Sequence, residues 1–298
     1  MKSKLFLYVS LGADLLIAAS KFVAAAFTGS ASMTSEGIHS VIDAISQVML
    51  IWGVKVSHRQ PDDEHPFGYG RELYFWSFIV SLVIFILGGC ISVYEGFSRF
   101  HRPGFEGNPM WNYITLAIAF VFNAISMQSA LKAFNKQRGT ISFWKAVIGT
   151  KDPSTIIVLL GDLGDLIELV IAFTGIYLGR LLGNPYLDGG ASILIGIILI
   201  VISAVLIRES KSLLMGESVG RKTLKRIIRL AEADKDIIKI KAHFSIHRSP
   251  EDVLLQLNAV FADNLNTKQI TDAINRVCSS IRSEYPLIKQ LFIEPVAK

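Results

Sequence analysis

The 298 residues are 51% hydrophobic and only 18% charged, with a mean hydropathy of +0.44, whereas soluble domains carry roughly a quarter charged residues. Charge is also unevenly spread: 31 charged residues fall in the first 212 positions and 24 in the last 86, which divides the chain into an apolar body, 1–212, and a tail of ordinary soluble composition, 213–298. A single soluble globule, a disordered chain and collagen are excluded, and the two cysteines, Cys90 and Cys278, are too few for a disulfide framework and too distant for a CxxC metal site.

A hydrocarbon core takes about 20 helical residues, and six stretches of the body reach that length. In chain order they are Leu5 to Phe27 with Asp14 and Lys21, Thr34 to Val54 with Glu36, His39 and Asp43, the uncharged Leu73 to Tyr94 and Met110 to Leu131, Pro153 to Gly179 with Asp162, Asp165 and Glu168, and the uncharged Gly189 to Ile207. The start Met1-Lys2-Ser3-Lys4 has the outline of a signal peptide, but Asp14 would sit inside its apolar core, so a retained first helix is expected. Lys55, Arg59 and Arg71 follow the second span and Lys132, Lys136, Arg138, Lys145 and Lys151 follow the fourth, against Arg99 and Arg102 after the third and Arg180 after the fifth. By the positive-inside rule both termini are cytoplasmic. In a bacterium that means the inner, plasma membrane.

The tail reads as a small α/β domain. Leu224, Ile227, Ile228 and Ala231 form an apolar helical stripe opposite Arg221, Lys222, Lys225, Arg226 and Arg229, a solvated face or one that meets anionic headgroups. Ile238, Ile240, Ala242, Phe244 and Ile246 alternate with polar residues as a half-buried strand does, and a turn at 248–252 leads to a second strand, Val253 to Phe261. Asn266 caps a helix with Gln269 in the capping-box position, and Leu287 to Ile293 closes as a third strand. The order helix, strand, strand, helix, strand predicts a ferredoxin-like domain, which at this size gains from pairing with a copy of itself. The net charge of +5, mostly in the tail, comes with no aromatic-interleaved basic run, so no nucleic-acid partner is expected.

A charge near the bilayer centre costs about 2.5 to 3.5 kcal/mol on insertion scales, so such residues mark a polar pathway. His39 and Asp43 are four apart and share a helix face; Asp162 and Asp165 are three apart and neighbours. One imidazole and three carboxylates from two helices make four ligands for a divalent cation, Zn²⁺ or equally Mn²⁺, Fe²⁺ or Co²⁺. Asp14, Glu36 and Glu168 are compatible with structural roles, such as capping a backbone or pairing with Lys21. Carboxylates crowded in low dielectric cannot all stay ionised without a cation. Metal and protons then compete for the same oxygens, and alternating exposure of the site exchanges one for the other.

Three stretches resemble the cation diffusion facilitator family: Ser32-Met33-Thr34-Ser35-Glu36-Gly37-Ile38-His39-Ser40-Val41-Ile42-Asp43, the connection Pro61-Asp62-Asp63-Glu64-His65-Pro66-Phe67-Gly68-Tyr69-Gly70-Arg71-Glu72, and Gly161-Asp162 in the fifth span. The likeness covers nearly the whole chain. It implies a homodimer that exports Zn²⁺ or a related metal from the cytoplasm against protons, through a site between spans two and five, with the metal as cargo and no resident cofactor. His39 and Asp43 match the family's pair on span two, and Asp162 matches the Asp of span five. Where the common zinc pattern has His, this chain has Val158. Asp165, two turns further along the same face, is expected to replace that ligand and make an oxygen-richer site, relatively favouring Mn²⁺ or Fe²⁺. A divergent zinc-transporting branch is similar in lacking the His, which keeps Zn²⁺ first. In the connection, Asp62 and His65 match two ligands of a second family site whose third position is here Tyr69, so binding there is weak at best, and the prolines and glycines explain the turn equally well. In the tail His243 falls near a family zinc-ligand position, but the other matching positions are Asn258, Thr271 and Phe292, with Glu294 the remaining candidate; His243 and His247 read better as two exposed histidines beside a turn. The alternatives are a non-transporting sensor or partner subunit, motivated by Val158, and a membrane enzyme, for which no phosphate loop, HExxH motif or serine elbow is present.

Overall fold

The computed structural model describes residues 5–28, 31–101 and 109–298. The Met1 to Lys4 start and Arg102 lie outside them. The chain divides into two units, one of residues 1–59 and 72–211, the other of 60–71 and 212–298. The connection 60–71, which the sequence reading leaves in the membrane body, thus groups with the tail.

The first unit is built from α1 (Leu5–Thr28), α2 (Ala31–Ser57), α3 (Glu72–Val83), α4 (Ile91–His101), α5 (Pro109–Arg138), α6 (Phe143–Gly149), α7 (Pro153–Leu181) and α8 (Tyr186–Met215). A π-helical turn, Ile84–Cys90, joins α3 to α4 without a break, so that Glu72–His101 is one span of 30 residues. Among the described residues five helices are long and apolar enough to cross a bilayer, and α7 has the length, 29 residues, but carries Asp162, Asp165 and Glu168. Each span is longer than its uncharged stretch because the helix continues through polar flanks. Outside, Leu16, Ile45, Val48, Ile125, Leu194 and Val201 are exposed, the surface expected of a body whose solvent is lipid. Inside, Leu7, Leu50, Val80, Phe134, Ile157 and Leu206 form the core.

Small residues set the closest packing. A Cβ on Gly96 would lie 2.6 Å from Ile193 Cγ1 and 2.8 Å from the Gly189 carbonyl oxygen, and one on Gly196 would lie 2.8 Å from the Gly89 carbonyl oxygen. Glycines seven apart on each helix therefore let the third span and α8 approach backbone to backbone, and Arg99 pairs with Asp188 beside them.

In the second unit α9 (Arg221–Glu232), β1 (Ile237–Ser249), β2 (Asp252–Phe261), α10 (Thr267–Glu284) and β3 (Ile288–Pro295) follow the order read from sequence. The sheet order is β1-β2-β3, with β1 antiparallel and β3 parallel to β2. Leu224 and Ile227 of α9 and Val277 and Ile281 of α10 pack on Leu255 and Leu257 of β2. The capping box is present: Gln269 N–H donates to Asn266 Oδ1 at 2.9 Å, and Asn266 N–H donates to Gln269 Oε1 at 2.8 Å. The simple alternation expected of β1 fails, because Ile238 and Phe244 are 52% and 61% exposed while His247 and Arg248 are buried. Register shifts between Ile237 and Lys239, Ile240 and Ala242, and His247 and Ser249 change which face each residue presents. His247 is therefore not the exposed histidine expected.

Candidate metal centre

Two cavities lie within the helical unit, and together they hold every intramembrane residue singled out above as a ligand. The first, about 50 Å³, is lined by Asp14 of α1, His39, Asp43 and Gln47 of α2, and Asp162 and Asp165 of α7, with Leu50, Ile157 and Leu206 on the side where α2 ends and α7 begins. Ile84 and Gly88 of the π turn complete its wall, as π-helical turns often do at functional sites. The second, about 40 Å³, is lined by Lys21, Ser40, Asn123 and Glu168 and lies toward the opposite helix ends, where α1 finishes and α2 begins. Asp14, His39, Asp43 and Asp165 line both. These four are shared by the two spaces and form a septum where they adjoin.

Helix geometry explains the convergence. His39, Asp43 and Gln47 repeat every four residues along one face of α2. Asp165 is within electrostatic reach of Asp43, Glu168, Asp162 and Asp14. Asp162 is 3% exposed and accepts a hydrogen bond from Ser126 Oγ of α5 at 2.7 Å, so a helix without charged residues in its apolar stretch still holds the site in place. Val158 is fully buried in the hydrophobic core and lines neither cavity. Among the described residues no three His, Cys, Asp or Glu are grouped closely enough to hold a metal ion together.

Lys21 is the nearest basic residue on α1, but its Nζ lies 3.7 Å from Glu36 Oε2, and that ion pair replaces the Lys21–Asp14 pair the sequence allowed. Asp14, Gln47, Ser126 and Asn123 were not placed at the site by sequence. Gln47 could have been found, four residues beyond Asp43 on the same face; Asn123 and Ser126 show only as polar residues three apart in an apolar span.

The Asp62 and His65 pair sits in the second unit in a closed turn. Tyr69 Oη donates to Asp62 Oδ2 at 2.6 Å and the His65 N–H donates to Asp62 Oδ1 at 2.7 Å. The Tyr69 hydrogen bond, then the His65 amide, hold the Asp62 carboxyl below its ordinary range, and the His65 and Tyr69 rings lie tilted at 34° with centroids 4.2 Å apart. Both Asp62 oxygens are thus engaged within the turn. Arg248 anchors this turn to the sheet: its Nη1 donates to the Phe67 carbonyl at 3.0 Å and its guanidinium lies 5.1 Å from the Phe67 ring centroid. In the tail Glu294 accepts from Gln256 Nε2 at 3.0 Å.

A body of six long helices with buried carboxylates and an α/β domain beside it in sequence defines a polytopic membrane protein. The model of the cation efflux transmembrane domain matches residues 7–215, and the chain belongs to that family, the cation diffusion facilitators. It is 34% identical over 220 residues to the mitochondrial proton-coupled zinc antiporter SLC30A9 of Mus musculus, an alignment covering 73% of this chain and 39% of that protein's length. Metal tolerance protein C4 of Arabidopsis thaliana is 27% identical over 67% of this chain and 44% of its own. The manganese efflux system protein MneP of Bacillus subtilis is 25% identical over 96% of this chain and 93% of its own.

Proposed function

We propose that this protein moves a divalent metal cation across a membrane in exchange for protons. The observation that carries the reading is the septum of Asp14, His39, Asp43 and Asp165, shared by two adjoining cavities within the bundle. A cation held there faces one cavity or the other as the helices shift, which is alternating access at a fixed site. His39, Asp43, Asp162 and Asp165 close on it as ligands in the course of that shift, since they are not yet grouped closely enough in the structure to hold it. When the cation leaves, the carboxylates cannot all remain ionised in low dielectric, so protons take its place and return the other way.

Zn²⁺ is the first cargo to test, with Mn²⁺, Fe²⁺ and Co²⁺ competing. The mouse relative is named a zinc antiporter and the Bacillus relative a manganese efflux protein, and the burial of Val158 favours a site with one imidazole and several carboxylates. The Lys/Arg pattern supports cytoplasmic termini and hence export, and the tail supports pairing of two chains. Vesicles containing the purified protein and a metal-sensitive dye test this. Uptake that Asp43→Ala and Asp162→Ala abolish supports it; metal binding without flux in the parent protein contradicts it in favour of a sensor.

A further inference from the structure

We propose that Asp14 of α1 is itself a ligand of the transported cation, so that three helices, not two, build the site. The inference rests on the transport reading above and deepens it. Asp14 is 7% exposed, lines both cavities, and its Oδ2 has no hydrogen-bond partner among the described residues. A buried carboxylate oxygen without a partner is costly to maintain. One of the structural roles open to it in the sequence, pairing with Lys21, is not adopted, because Lys21 pairs with Glu36. Its charged neighbours, Asp43 of α2 and Asp162 of α7, are acidic and repel it.

A bound cation would satisfy this carboxylate. The position of Asp14 on the septum, with His39, Asp43 and Asp165, puts its carboxylate on the wall of both cavities. Four carboxylates beside one imidazole form a harder donor set than a zinc site rich in nitrogen, and such a set relatively favours Mn²⁺. Losing Asp14 should then weaken Mn²⁺ binding more than Zn²⁺ binding.

The test is metal binding to the purified full-length protein by titration calorimetry with Mn²⁺ and Zn²⁺ separately, alongside the absorption spectrum with Co²⁺ bound. Asp14→Asn is expected to weaken Mn²⁺ at least tenfold and Zn²⁺ less, and to shift the Co²⁺ d–d bands, with Asp14→Glu restoring part of the loss. Parent-like affinities and an unchanged Co²⁺ spectrum in Asp14→Asn, while Asp43→Ala abolishes binding, overturn the inference and leave the transport site standing. Binding that survives Asp43→Ala as well overturns the site itself. If Asp14→Asn does not yield folded protein, Asp14→Glu decides: an altered Mn²⁺ to Zn²⁺ affinity ratio supports ligation, and an unaltered ratio with an unchanged Co²⁺ spectrum overturns it.

Discussion

Arg248→Ala should free the 60–71 segment from the α/β unit. The side chain donates to the Phe67 carbonyl, covers the Phe67 ring and pairs with Asp252. A hydrogen bond from a charged donor contributes about 1.5 to 3 kcal/mol, and a partly desolvated cation–π contact about 1 kcal/mol. Losing both removes about 3 kcal/mol of docking, about a hundredfold in the opening equilibrium at 1.4 kcal/mol per decade. The Gly70 backbone is held equally close, since a Cβ there would lie 2.8 Å from the Arg248 carbonyl oxygen, so the segment is seated at two points and should open as one. Hydrogen exchange of the full-length protein reads this directly. Amides of 60–71 should exchange about a hundredfold faster in the variant, while those of β2 and β3 keep their protection. Arg248→Lys retains the charge but not the planar fork and should fall between. Parent-like exchange across 60–71, with the sheet still protected, would refute the argument.

Gly96→Ala should lower the apparent melting temperature of the detergent-solubilised protein by an overpacking cost of about 1 to 3 kcal/mol, because its Cβ meets a backbone carbonyl that cannot retreat. Gly12→Ala, with nothing within 4 Å of its Cβ, is the control and should be neutral or stabilising; equal losses in the two would sink the packing argument. Gln47→Leu removes a buried acceptor that has no hydrogen-bond partner among the described residues, so thermal stability should rise by about 1 kcal/mol while metal flux falls; a rise in both would separate Gln47 from the cation path. Arg276 bonds Asp234 at 2.9 Å and Asp236 at 2.7 Å and holds the Asp234 carboxyl below its ordinary range. Because the folded value is the lower one, this stabilisation is complete above the free-Asp value of about 3.9 and is lost as pH falls through the depressed folded value. Exchange at 233–237 should therefore speed up at acid pH in the parent, and Arg276→Ala should flatten that acid dependence; equal acid dependence in both proteins would count against it.

The spans were legible because length and apolarity are local properties, and His39, Asp43, Asp162 and Asp165 because helical spacing alone puts each pair on one face. The contribution of α1 and α5 was not, since Asp14 and Ser126 join the site only through packing between helices, which leaves no spacing rule in the sequence. Val158 marked a departure from the family pattern, but only its burial in the core distinguishes a sealed position from a vacated ligand place. The tail's element order was readable, whereas the faces of β1 were not, because each bulge reverses the alternation beyond it. The seating of 60–71 on the sheet depends on a hydrogen bond spanning 181 residues, beyond the reach of any local pattern.

Coupled exchange at the septum is tested by dye-reported metal uptake into protein-containing vesicles with the proton gradient imposed in either direction and the membrane potential clamped. An acidic lumen should accelerate uptake of the metal, an alkaline lumen should slow or reverse it, and Asp43→Ala should remove the dependence. Uptake at the same rate under both gradients in the parent protein would contradict proton-coupled exchange.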